Sequence, residues 1–294
     1  MTRHDAGVLA TTQKRSVGWF ERGNRDGLAV LWFHGQPGSC LEQKVLTDES
    51  LERHGLRIVS IDRAGYGDTD PVGIERRPVI DDALAVLDHL AIERVVTIGV
   101  SMGGTFAMAA AAFAPGRVSR AVLVSANAMP YDDERVVADL RSGEQEDVAL
   151  LRSGDRATLD ATYAEYRDAL ATDPMPAFDA LTFAEFSARE QRLWREDWVR
   201  EVFRSEVVHG LAPGHAGYLD DGLRTIAPLD FDLAAVRCPV RAIHGSQDSL
   251  EPLSNVRRLV NRLPDAQLFV IEGVNHFGPW LWPDLVAGLV IGDR

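Results

Sequence analysis

The stretch that most restricts what this chain can fold into runs from Val95 to Phe113. It reads as an apolar strand, a glycine-pinched turn carrying one serine, and an alanine-rich helix that starts after Met102. Gly99-Val100-Ser101-Met102-Gly103 has the G-x-S-x-G spacing. A serine at the apex of so sharp a strand-to-helix turn sits in strained backbone, and side chains two residues away on either side would crowd it. Glycine at both positions removes the Cβ atoms that would clash. The helix then aims its positive N-terminal end at the serine, where an oxyanion would develop. Two plainer readings compete. The run is apolar and close to a membrane span in length, but Gly99, Ser101, Gly103 and Gly104 interrupt it in the middle. As a phosphate-binding turn it lacks both the Lys-Ser/Thr ending and the G-x-G opening. Five residues recur by chance, so the rest of the chain must supply a base, an acid and an oxyanion site.

The flanking sequence alternates between strand and helix signals. Ser16 to Arg22 suits a short edge strand, and Leu28 to Phe33 suits a strand buried on both faces. The latter ends in the loop His34-Gly35-Gln36-Pro37-Gly38-Ser39. A helix is expected from Leu41 to His54, with Gly55 as its C-cap. Arg57 to Ile61 is the next strand, ending in the glycine-rich loop Asp62 to Pro71. Ile80, Leu84, Leu87 and Leu90 recur at helical period within Val79 to Leu90. Met102, Phe106, Ala109 and Phe113 mark the buried face of the helix after Ser101, and Val118 to Val124 is the next strand. This alternation predicts a doubly covered, mostly parallel sheet, whose sites lie beyond the carboxyl ends of its strands.

After Asn127 the texture changes. Val136 and Leu140, then Leu159, Tyr163, Tyr166 and Leu170, then Phe183 and Phe186 follow helical spacing, with Trp194, Trp198, Phe203 and Tyr218 beyond them. Residues 129–224 are therefore expected to form a helical insertion between core segments 1–128 and 225–294. Alternation returns with a strand at Val240 to His244, a helix at Leu253 to Leu263, a strand at Leu268 to Ile271 and a last helix from Leu281 to Ile291.

Composition narrows the function classes. A formal charge of −13 over 294 residues argues against a nucleic-acid partner, and Lys14 and Lys44 are the only lysines. Cys40 and Cys238 are too few and too far apart for a disulfide framework or a zinc site, and are expected as buried thiols. Met1 to Arg15 has no apolar core of a signal peptide, so a cytoplasmic protein without a membrane segment is the expectation.

An activated serine needs a base within hydrogen-bond reach and a group that fixes the tautomer of that base. His276 and Asp248 both follow strands expected on the same sheet edge as Ser101, in the order Ser, Asp, His. With His34-Gly35-Gln36-Pro37, Asp62-Arg63-Ala64-Gly65-Tyr66-Gly67, the serine turn, His244-Gly245-Ser246-Gln247-Asp248 and Asn275-His276-Phe277, the chain resembles the α/β-hydrolase fold superfamily over nearly all its length outside the insertion. The resemblance implies Ser101 as nucleophile, His276 as base and then acid, and Asp248 as the orienting carboxylate. It also implies an oxyanion hole from the backbone N–H groups of Gln36 and Met102, and a helical cap at 129–224. Glu251, or Asn127 and Asp132 after the preceding strand, are the rival positions for the acid. His34 is expected to structure its loop, Asp62 and Arg63 to tie loops together, and His89, His209, His215 and His244 to be structural or superficial.

Epoxide hydrolases and haloalkane dehalogenases share the His-Gly-x-Pro loop but carry aspartate where this chain has Ser101. Proline iminopeptidases and C–C hydrolases differ at Gln36 and Phe277. The expectation is a serine esterase or lactonase acting on a small to medium, apolar substrate, with no cofactor and no metal. Substrate contacts are open, with His34, Phe277 and the cap aromatics as candidates. The alternatives are C–C or amide hydrolysis, a cofactor-free perhydrolase resembling haloperoxidases, and a ligand-binding receptor with a slow triad. The sequence is silent on oligomeric state and on the substrate itself.

Overall fold

The computed structural model describes residues 3–127, 129–182, 186–279 and 282–292. Its strands are β1 (Arg3–Ala10), β2 (Ser16–Gly23), β3 (Leu28–Phe33), β4 (Leu56–Ile61), β5 (Val95–Val100), β6 (Val118–Val124), β7 (Val240–Gly245) and β8 (Ala266–Ile271). They form one sheet in the order β1-β2-β4-β3-β5-β6-β7-β8. β1 and β2 pair antiparallel to their neighbours, and every pair from β4 to β8 is parallel. The chain leaves β3 toward β4 on one side and returns as β5 on the other. That reversal opens a crevice at the carboxyl ends of β3 and β5, where ligands of open α/β sheets bind.

The strands of the parallel part are apolar because both faces are covered. Successive side chains alternate across the pleat. Leu31 and Phe33 pack with helices α2 (Arg77–His89) and α3 (Gly103–Phe113). Val30 and Trp32 pack on the other face with α1 (Asp48–His54) and with the last helix. α3 is buried nearly all round, from Gly103 to Ala111, which explains its apolar and alanine-rich sequence: small side chains let it lie close against β3, β5 and β6.

Between β6 and β7 the described residues form helices α4 (Glu134–Asp139), α5 (Ser142–Ser153), α6 (Arg156–Thr172), α7 (Met175–Thr182), α8 (Ala188–Trp194), α9 (Asp197–Leu211) and α10 (Ala216–Ile226). β6 and β7 are direct neighbours in the sheet, so this whole segment leaves and re-enters at one strand junction. The chain ends with α11 (Leu253–Val260) and α12 (Pro283–Ile291).

Three local expectations change. β1 is an additional strand, and it, not β2, holds the edge. Its residues from His4 to Ala6 are exposed, so it carries no apolar alternation and is held by backbone pairing from Arg3↔Gly23 to Ala10↔Ser16. The expected helix from Leu41 to His54 is split into a 3-10 turn at Cys40–Val45 and α1. Thr47 makes the break by accepting a hydrogen bond from Ser50 N, as an N-cap does, while Gly55 closes α1 at φ 61°. Cys40 is buried but Cys238 only half-buried. Phe183 and Leu281, used above to mark helices, lie outside the described residues. No helix among the described residues is long and apolar enough to cross a membrane.

Candidate active site

Ser101 stands between β5 and α3 at φ 49°, a conformation that costs a non-glycine residue free energy and persists only where the surroundings impose it. The two flanking glycines are part of what imposes it. A Cβ at Gly99 would lie 2.3 Å from the Gly103 carbonyl oxygen, and one at Gly103 would lie 2.1 Å from the Phe33 carbonyl oxygen. Ser101 N donates to Val124 O (3.0 Å) and Asn127 N donates to Ser101 O (2.8 Å), so the end of β6 and the loop after it clamp the turn.

His276 sits in the loop after β8. Its Nδ1 lies 2.8 Å from Asp248 Oδ2. The other oxygen of Asp248, Oδ1, accepts from Leu250 N (3.1 Å) and Glu251 N (2.9 Å). Burial alone would raise the Asp248 carboxyl, but the charges of His276 and His244 and these hydrogen bonds hold it below the usual carboxylate range. The histidine answers in the opposite sense. Burial disfavours the imidazolium, yet the Asp248 carboxylate outweighs it and raises the pKa of His276 above the ordinary histidine value. The loop itself is pinned by Ser125 Oγ, which donates to His276 O (2.6 Å), and by Asn275, whose Oδ1 accepts from His276 N (2.5 Å). Glu190 of α8 reaches over to accept from Asn275 N (2.9 Å).

The rival acids are placed elsewhere. Glu251 accepts from Asn127 Nδ2 and from the Tyr131 hydroxyl, both at 2.8 Å, and burial pushes its pKa up to about 7. Asp132 pairs with Arg258 near the surface. Of these groups, only Asp248 is hydrogen-bonded to His276 among the described residues.

The loop after β3 faces Ser101. His34 is fully buried: its Nε2 accepts from Arg63 N (3.0 Å), so the proton is on Nδ1, which donates to Gly35 O (2.8 Å). Burial and the Arg63 charge push its pKa down to about 3, so it stays neutral. Arg63 itself donates to His34 O (3.1 Å), Gly35 O (2.7 Å) and Asp221 (2.6 Å). Asp62 accepts from Cys40 N (2.7 Å) and Asp68 N (3.1 Å) and meets His209 at 3.2 Å. These residues tie loops together, as expected. The grouping Cys40, Asp62 and His209 brings three possible metal ligands within 4.8 Å among the described residues, but both Asp62 oxygens already serve the loop. The Gln36 side chain reaches across to α10, with Nε2 donating to Tyr218 O (3.2 Å).

Ser101, His276, Gln36 and Met102 all line one cavity of about 230 Å³. The core supplies one wall. The other comes from the helices between β6 and β7, including Tyr163, Tyr166, Phe178, Phe203 and Glu206. Phe277 lines the cavity too, but it is also the centre of an aromatic cluster, with ring centroids at 5.4 Å from Trp194, 5.3 Å from Phe203 and 5.8 Å from Phe186. That cluster bolts the helical segment to the histidine loop. Sequence reasoning missed Glu42, Glu206, Ser125 and Glu190, and placed His244 outside the site. His244 Nε2 is in fact 3.3 Å from Asp248 Oδ2. No local pattern marks these residues, because each matters only through what a distant segment brings to it.

A family model described as the alpha/beta hydrolase fold matches residues 29–281. Among curated proteins, a non-heme chloroperoxidase of Streptomyces lividans is 28% identical, covering 92% of each chain. A rhodomycin D methylesterase of Streptomyces peucetius is 27% identical, covering 82% of this chain and 83% of the relative. A thermophilic esterase of Thermogutta terrifontis shares the fold with a TM-score of 0.68 at 19% identity, covering 98% of this chain and 97% of its own.

Proposed function

The chain belongs to the α/β-hydrolase fold family, and from that premise we propose that it is a serine hydrolase of small to medium carboxylic esters or lactones. One observation carries the reading: the strained Ser101 and the His276–Asp248 pair converge on a single cavity. In this reading Ser101 Oγ attacks the acyl carbon while His276 Nε2 takes its proton. Asp248 holds the proton on Nδ1 and stabilises the imidazolium that forms. The backbone N–H groups of Gln36 and Met102 receive the oxyanion, helped by the N-terminal end of α3. His276 then returns the proton to the leaving alcohol, and water repeats the sequence on the acyl-enzyme. Residues 129–224 act as a cap that shapes the pocket and excludes bulk water.

The imidazolium cannot accept a proton, so kcat/KM falls as His276 is protonated. Because the Asp248 carboxylate raises the pKa of His276, the acid limb of the pH profile is expected above pH ~6.5, the usual histidine midpoint. The direct test is labelling with a fluorophosphonate and locating the adduct by mass spectrometry, alongside release of 4-nitrophenol from short-chain esters. The expected adduct is on Ser101 and is lost in His276→Ala. An adduct elsewhere, or none together with no ester turnover, would defeat the reading.

A second reading draws on the chloroperoxidase relative. Hydrogen peroxide in place of water would take the acyl group from Ser101 as a peracid, which then oxidises halide in solution. Peroxide- and acetate-dependent bromination that vanishes in Ser101→Ala would favour it.

A further inference from the structure

Beside Ser101, two carboxyl groups face the cavity with no assigned role in ester cleavage. Glu42 belongs to the 3-10 turn that follows the β3 loop, and Glu206 belongs to α9 on the cap side. They are close to the reacting centre. A Cβ at Gly35 would stand 3.1 Å from Glu42 Oε1 and 3.5 Å from Ser101 Cβ. A Cβ at Gly38 would stand 3.4 Å from Glu206 Oε2. Glycine at 35, which lines the cavity, keeps this corner open.

The two groups differ in how they are satisfied. Glu42 accepts from Trp32 Nε1 on Oε2 (2.7 Å) and from Gly35 N on Oε1 (3.0 Å), and although these bonds favour the charged form, burial pushes its pKa up to about 7. Glu206 is 2% exposed, and its Oε2 has no hydrogen-bond partner. A buried acceptor without a partner is costly, and in a folded protein it marks a place completed by something else. Arg63, the nearby cation, is already committed to Asp221 and two carbonyl oxygens. Arg141 is the one arginine or lysine among the described lining residues, and its guanidinium donates twice to Glu144.

We propose that Glu206, with Glu42 behind it, forms a cation subsite beside Ser101, and that the substrate is an ester carrying an ammonium group within a few bonds of the scissile carbonyl. This rests on the reading of Ser101 as an ester-cleaving nucleophile. Burial and the neighbouring Glu42 push the Glu206 carboxyl well above the usual carboxylate range, and a cation placed here relieves both causes by pairing with the carboxylate as it forms, in surroundings where charge pairing is stronger than at the surface. Phe203 and Tyr218 also line the cavity and supply ring faces that suit an ammonium group. A neutral donor on the substrate, such as a hydroxyl, would need only an acceptor, which the amide oxygen of a glutamine at 206 would provide as well. The Glu206→Gln exchange therefore separates the two chemistries.

The test compares esters matched in shape: phenylalanine methyl ester with methyl 2-methyl-3-phenylpropanoate, and butyrylcholine with 3,3-dimethylbutyl butyrate. In at least one pair kcat/KM is expected to favour the cation about 10-fold or more, and Glu206→Gln is expected to erase that ratio while Glu206→Asp retains part of it. Cation preferences below about 3-fold in both pairs, or a ratio untouched by Glu206→Gln, overturn the proposal. Calorimetry with 2-phenylethylammonium and 2-phenylethanol reads the subsite without turnover. If the ammonium binds about 10-fold more tightly than the alcohol and loses that margin in Glu206→Gln, the subsite stands even where no ester is cleaved, and only the esterase reading falls. If esters are cleaved but ammonium and alcohol bind alike, the subsite falls and the esterase reading remains.

Discussion

The cavity has two walls built on different terms. On the core side, polar atoms are aimed and occupied. Asp248 takes three hydrogen bonds, His34 is locked in one tautomer, and Ser101 is held at φ 49° by close backbone contacts. On the helical side the rings of Tyr163, Tyr166, Phe178, Phe203 and Tyr218 share the wall with aliphatic and charged side chains. Tyr163 and Tyr218 lie at a centroid distance of 5.1 Å, Tyr166 packs against both, and Glu206 is left without a partner on one oxygen. Under the proposed function the contrast separates reaction from selection. A site whose donors and acceptors are fixed in advance stabilises a transition state without reorganising, whereas a wall of rings and one unsatisfied acid discriminates between ligands by shape and charge.

Four substitutions probe that contrast. The largest effect belongs to the core wall. Ser101→Ala is expected to lower kcat on 4-nitrophenyl esters by about 10⁶-fold, as removing such a nucleophile does elsewhere, with an unchanged circular dichroism spectrum. Asp248→Asn should follow at about 10⁴-fold in kcat, since the amide would favour the wrong tautomer of His276. In the same variant the acid limb of kcat/KM should move to lower pH, because the carboxylate that raises the pKa of His276 is gone. Stopped assays across pH would show both.

On the helical wall the expected effects are on stability and substrate choice. Trp194 is fully buried, its Nε1 donates to Asp179 (2.6 Å), and its ring packs 4.5 Å from Phe203. Trp194→Ala should destabilise by about 3–5 kcal/mol, read by urea denaturation, and should loosen the histidine loop through Phe277. The smallest effect is expected for Tyr166→Phe. The hydroxyl donates to Asp147 (3.1 Å) at a side chain 37% exposed, so its loss should change stability by less than about 1 kcal/mol and appear, if anywhere, in KM. A kcat loss in Tyr166→Phe rivalling that of Asp248→Asn would break the division between the two walls.

Legibility followed the same line. The parallel strands were readable because each is a short apolar run ending in a loop of turn residues, and Ser101, Asp248 and His276 each sit just past such a run. β1 was not readable, because an edge strand held by backbone pairing needs no apolar alternation. The break at Thr47 was hidden inside a helical pattern, since the cap that makes it is a single hydroxyl. His244 lies four residues before Asp248 and was assigned a structural role, yet it shares an oxygen with His276. Only the turn between them brings both rings to one carboxylate.

What the sequence by itself determined is the core: alternating apolar and helical segments specify a doubly covered sheet, and glycines two residues either side of Ser101 make room for a sharp turn there. Those are local rules, carried by neighbours in the chain. What only the tertiary structure decided is how distant segments meet. Glu42 and Glu206 are far apart in sequence and share one corner of the cavity because α9 packs on the turn after β3. Glu190 steadies the histidine loop from the opposite side of the helical segment. Such pairings depend on where packing brings two surfaces together, and no periodicity in either segment records it.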